Sequence, residues 1–219
     1  MEEQKKDKGT NYATWIVVAI IACIFIGIRV YTKYLNQKNM ETLSRIIEKN
    51  PDVLNQRNNG NNTDYKIIWK TYSDDVFSFN YPGTYGVRKD MSGDMVQIFC
   101  EANDNGEYAV VNITYIGGFD LESISTSEKK QRCINGIKAA QESMEKELKA
   151  SFSPITRGEI GNLNGYLTTF EGNLYGLYEI EGNIFMNFYQ DKTIIIASQA
   201  EKGKSIEKVN KIIESIKVK

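Results

Sequence analysis

The sequence predicts an α+β domain, an α/β/α sandwich over a mainly antiparallel sheet, preceded by one N-terminal transmembrane helix. Two runs of strand-like alternation, two helical apolar stripes and one long apolar segment near the N-terminus carry that prediction.

The apolar segment comes first. Tyr12 to Ile28 reads YATWIVVAIIACIFIGI with no charge. Extended to Tyr31, it supplies about 20 residues, enough at about 1.5 Å per residue to cross a hydrocarbon core of about 30 Å. Tyr12 and Trp15 at one end and Tyr31 and Tyr34 at the other suit the interfacial positions of such a helix. Lys5, Lys6 and Lys8 before the span are balanced by Arg29, Lys33 and Lys38 after it, so flanking charge does not orient it. The short basic tail, residues 1–11, reads as the n-region of an uncleaved signal anchor, which leaves the tail inside and exports the rest. An alternative is lipidation at Cys23, because Ile20-Ile21-Ala22-Cys23 resembles a loose bacterial lipobox, although Ile24 to Ile28 continue the apolar run.

Residues 32–54 read as a helical stalk, with Leu35, Leu43, Ile46 and Ile47 among charges and Pro51 disfavouring helix at Asn50. Residues 55–64 form a polar, Asn-rich linker. One soluble domain, residues 65–219, is expected to follow, a length sufficient for a single core.

Within that domain, Val76 to Tyr81 alternates as VFSFNY and is closed by Pro82-Gly83. Val87, Val96 to Cys100 and Tyr108 to Tyr115 continue the strand reading around an Asp104-Asn105-Gly106 turn. A helix should start at a capping box, Ser125 with Glu128, and present Cys133, Ile137, Ala140, Met144 and Leu148 on one face. Four hairpin-linked strands are then expected, Gly165 to Glu171, Leu174 to Glu181, Ile184 to Gln190 and Thr193 to Gln199, with turns at Gly172-Asn173, Gly182-Asn183 and Asp191-Lys192. Lys204 to Val218 carries Ile206, Val209, Ile213 and Ile216 as a closing helix, with Ser205 as its cap. Thr193-Ile194-Ile195-Ile196-Ala197 is apolar on both faces, which implies a sheet covered on both sides.

FSFNYPGTY at Phe77 to Tyr85, one central helix, a meander ending in TIIIASQ and a terminal IIESIKV together resemble the PsbP-like family over about residues 65–219. Tyr85 stands where many members carry Trp. The resemblance implies the sandwich fold and an extracytoplasmic habitat, since many bacterial relatives are anchored proteins with no assigned reaction.

Composition narrows the chemistry. The chain has 219 residues and no histidine, which removes the commonest general base and metal ligand. Three cysteines, Cys23, Cys100 and Cys133, lie at none of the close spacings of zinc or redox sites, though a Cys100–Cys133 disulfide stays open. A net charge of −1 offers no basic surplus for nucleic acid. No metal or cofactor is expected. The candidate binding residues are the aromatics of the meander, Tyr166, Tyr175, Tyr178, Phe185 and Tyr189, whose large side chains suit either a groove or a core. The expectation is a single-pass, membrane-anchored, extracytoplasmic binding or scaffold module without catalysis, partnered by the membrane through residues 12–31 and by another envelope protein. The alternative is a carboxylate-dependent hydrolase, for which Glu179 and Glu181 on one strand face are the candidate pair.

Overall fold

The computed structural model describes residues 67–102, 108–117, 120–174 and 178–219. The expected anchor (12–31, with Cys23), stalk (32–54) and linker (55–64) lie outside the described residues. Among the described residues, no helix is long and apolar enough to cross a membrane.

Eleven described strands and two helices follow in chain order. The strands β1 (Trp69–Ser73), β2 (Phe77–Pro82), β3 (Tyr85–Ser92), β4 (Met95–Ala102) and β5 (Ala109–Ile116) precede helix α1 (Thr126–Leu148). After it come β6 (Ser151–Phe152), β7 (Thr156–Ile160), β8 (Leu163–Leu174), β9 (Tyr178–Tyr189), β10 (Lys192–Glu201), helix α2 (Ile206–Glu214) and β11 (Lys217–Val218). One antiparallel sheet runs β3-β4-β5-β10-β9-β8-β6, with β7 also on β8, and a second runs β1-β2-β11.

Side-chain alternation assigns the two faces of the large sheet. On one face Ile98, Ile113, Phe185, Ile194 and Ile196 join Phe77 and Phe79 of the small sheet and Val209, Ile212, Ile213 and Ile216 in one core. This is the α2 face. The opposite face receives α1, which packs on β8 and β9 and whose Gln141 Nε2 donates to Thr168 Oγ1 at 3.2 Å. The result is helix, sheet, then helix with a small sheet, as the two-sided hydrophobicity of β10 requires: every residue from Thr193 to Ala200 is buried.

The Ser125 half of the expected capping box is made, with Ser125 Oγ accepting from the Glu128 amide at 3.2 Å, while the Glu128 carboxylate pairs with Arg132 at 2.6 Å. Its end differs from a glycine cap, since Lys149 takes the left-handed conformation at φ 50°. At α2 the expected cap is not made. Ser205 is fully buried, and its hydroxyl makes no side-chain cap bond.

The meander departs from expectation in a physically instructive way. Gly172-Asn173 and Gly182-Asn183 are not turns; they lie inside β8 and β9, two continuous strands of 12 residues each. A Cβ on Gly182 would come within 2.0 Å of Ser198 O and 2.7 Å of the Phe170 ring. This glycine therefore marks close approach within the sheet rather than chain reversal. Three long strands, not four short ones, form the meander. The final helix is also shorter than expected, because Lys217–Val218 leaves it to pair with β2. That pairing completes the small sheet, whose strand β1 the sequence pattern did not indicate.

Two of the contacts that join the sheets lie at the β7–β8 hairpin. Gly161, at φ +57°, turns the β7–β8 hairpin against β11, where a Cβ would fall 1.7 Å from Ile216 O. Next to it, Asn162 exchanges two hydrogen bonds with the Val218 backbone, at 2.9 and 3.0 Å. Cys100 and Cys133 are both buried free thiols. Cys100 faces the α2 core while Cys133 lies on α1 across the sheet, which excludes the disulfide left open by the sequence.

Candidate functional site

The candidate aromatics do not share one surface. Phe185 is fully buried on the α2 face, and Tyr189 packs against the same core at its edge. Tyr166 is half-buried and opposite Met186, a register that places it on the α1 face. Tyr175 lies outside the described residues, and Tyr178 is placed only by its backbone pairing with Leu174. Among these residues, Phe185 and Tyr189 therefore share a core rather than a groove.

Glu179 and Glu181 meet Glu171 around Lys202. Glu171 is directly across from Glu181, and Lys202 Nζ reaches Glu171 Oε2 at 2.7 Å, so its pKa is raised first by that bond and then by the surrounding carboxylates. Glu181 also accepts the Gly203 amide at 3.4 Å. These groups stand at an exposed strand end. Among the described residues, no group of three His, Cys, Asp or Glu side chains is arranged to hold a metal ion.

A second charged constellation connects the small sheet to the large one. Asp74, after β1, accepts the Val76 amide at 2.9 Å and the Phe77 amide at 2.7 Å through Oδ1. Through Oδ2 it accepts Tyr72 OH at 3.1 Å and Lys89 Nζ at 2.8 Å. Burial alone would raise the Asp74 pKa, but Lys89, the two amides and Tyr72 together hold it below the ordinary carboxylate range. Tyr72 is pushed up to about 12, first by burial and then by the Asp74 charge. Lys219 Nζ adds bonds to Ser73 Oγ and to the Asp74 carbonyl. Every acceptor of Asp74 is engaged, which is the signature of a clamp rather than of a base waiting for a proton.

The remaining feature is polar and buried, on the α1 face. Cross-strand register lays out adjacent rows there: Glu101, Val110, Gln199 and Gly182 in one, and Phe99, Asn112, Ala197 and Ile184 in the next. Asn112, Thr114, Thr193 and Gln199 are all at least nine-tenths buried. Thr114 Oγ1 donates to Asn112 Oδ1 at 3.2 Å, whereas Asn112 Nδ2 and Gln199 Oε1 have no hydrogen-bond partner. Arg88 stacks over the Phe99 ring at 4.6 Å, and Glu101 has its pKa raised chiefly by burial. The sequence offered one signal for this patch that went unused: Asn112 and Gln199 interrupt AVVNITYI and TIIIASQA, two strands otherwise dominated by apolar residues.

A cleft of about 470 Å³ opens between the start of α1 and the β9–β10 turn, lined by Asp120, Leu121, Glu122, Lys129, Gln190 and Asp191. Nucleophilic chemistry has little to draw on in the described thiols, because burial pushes both Cys100 and Cys133 up to about 12.

No family model matches the chain, and no curated protein matches it. Three solved structures are among those similar to it. Cyanobacterial PsbP (CyanoP) of Synechocystis sp. PCC 6803 has a TM-score of 0.45 at 12% identity, covering 74% of this chain and 99% of that one. LpqN of Mycobacterium tuberculosis, described as involved in cell envelope biogenesis, has a TM-score of 0.42 at 11% identity, covering 71% and 92%. A protein of Bacteroides thetaiotaomicron VPI-5482 has a TM-score of 0.42 at 14% identity, covering 65% of this chain and 45% of that one, so this chain spans less than half of its length. The fold itself is α+β, with a mainly antiparallel sheet and two described helices.

Proposed function

We propose that the chain is a membrane-anchored, extracytoplasmic, non-catalytic binding or scaffold module of an envelope protein complex. The anchoring half rests on the charge-free run Tyr12 to Ile28, which has the length and composition of a spanning helix. The non-catalytic half rests on one observation above all. The charged constellations of the described domain are internally satisfied, Asp74 by two amides, a tyrosine and a lysine, and Glu171 by Lys202, in arrangements that hold structure together. Against the hydrolase alternative, which needs the Glu179 and Glu181 pair to face a partner across a cleft, the two stand at an exposed strand end beside Lys202.

Three experiments test this reading. Protease added to intact protoplasts should degrade the domain; protection until the membrane is permeabilised would reverse the topology. In-cell crosslinking should recover a reproducible envelope partner, and recovery of the uncrosslinked chain alone would count against the scaffold reading. Intact mass of the membrane-extracted protein distinguishes a full-length spanning chain from one processed and acylated at Cys23.

A further inference from the structure

We propose that the α1 face of the sheet holds an internal water molecule between Asn112 and Gln199, as a fixed part of the fold. The two residues are diagonal neighbours on paired strands, since Asn112 is opposite Ala197 on β10 and Gln199 is opposite Val110 on β5. Such neighbours have Cα atoms about 7–8 Å apart, with Cβ atoms somewhat closer, a span that two amide side chains and one water fill. The chemistry of the exposed valences selects the occupant. Asn112 Nδ2 is a donor without a partner and Gln199 Oε1 an acceptor without one. A metal ion or ammonium cannot accept a hydrogen bond from Asn112 Nδ2, and a simple anion cannot donate one to Gln199 Oε1. The occupant must both accept and donate.

Burial decides its size. Asn112 is 1% exposed and Gln199 4%, so neither is open to a partner protein or a large ligand without unfolding the face. Water meets both conditions, accepting from Asn112 and donating to Gln199, with its second donor free for a further acceptor on the same face. The carboxylate oxygen Glu201 Oε2, one same-face position beyond Gln199 and also without a partner, is one such acceptor. Thr114 fixes the Asn112 amide with its oxygen toward the hydroxyl and its nitrogen toward the site. The alternative is a direct bond from Asn112 Nδ2 to Gln199 Oε1, which would satisfy both without any water.

The test is water-to-amide cross-relaxation by NMR on the detergent-solubilised full-length chain. Cross-peaks between water and the Asn112 side-chain amide, with the sign of a long-lived bound molecule, are the expected result. Substituting Gln199→Leu should reduce those cross-peaks severalfold, while Tyr166→Phe, which leaves both groups in place, should not. An Asn112 amide that shows no water cross-peak, or only contacts with the Gln199 side chain, overturns the proposal. Should Gln199→Leu fail to fold, the unsubstituted chain still decides between these outcomes.

Discussion

The two faces of the large sheet are built from the same strands and solved differently. On the α2 face, β10 contributes Ile194 and Ile196 to a core of Phe77, Phe79, Ile98, Ile113 and Phe185, which is almost wholly apolar. On the α1 face the same strand contributes Thr193, Ile195 and Gln199 beside Asn112 and Thr114 of β5. The difference shows that burial and hydrophobicity are separate matters. Both faces remove apolar area from water, but the α1 face also encloses polar groups whose hydrogen bonds must be completed.

Truncating the larger apolar payload should expose that difference most clearly. Phe185→Ala on the α2 face is expected to lose about 3–5 kcal/mol, measured by urea unfolding, because it leaves a cavity under a fully enclosed ring. A loss under about 1 kcal/mol would place Phe185 in a groove open to solvent, as the binding reading of the meander required.

A pair of opposed β-branched swaps sharpens the comparison. Ile196→Thr buries a hydroxyl among apolar neighbours and should destabilise by about 2–3 kcal/mol, combining lost transfer energy with an unsatisfied group. Thr114→Val on the other face removes one bond to Asn112 Oδ1 and should lose only about 1 kcal/mol. Equal losses from the two would mean that the faces are not chemically distinct.

The α2 side carries an additional dependence on pH through the Asp74 clamp. Its carboxyl is held below the ordinary range in the folded protein, so its contribution is present above the unfolded pKa of about 4 and disappears as pH falls through the lower folded value. Stability should therefore decline toward acid more steeply in the parent chain than in Asp74→Asn. Parallel pH slopes for the two proteins would remove Asp74 from the account.

The smallest effect tests the partition itself. With Cys100 on one face and Cys133 on the other, both thiols pushed up to about 12, neither should react with a thiol reagent in the folded domain, and both should be alkylated once it is denatured without reductant. A mass consistent with a Cys100–Cys133 bridge would break the assignment of faces.

The α1 helix, its Ser125 cap and the two-sided burial of β10 were legible in the sequence, because local hydrogen bonding and hydrophobic period act within a few residues. Glycine was the misleading signal: Gly182 followed by Asn183 has turn composition, yet Gly182 exists to let Ser198 O and Phe170 come close. Spacing likewise identified the aromatics but not their separation, which depends on strand register, with Tyr166 falling opposite Met186 and Phe185 facing the other way. The sequence by itself determined which segments are apolar, where α1 starts and that imidazole chemistry is absent. Tertiary structure alone decided that Lys217–Val218 pairs with β2, that Asp74 meets Lys89, and that Asn112 lies beside Gln199. Those contacts join residues far apart in the chain, and nothing in the local period of either partner specifies the register at which they meet.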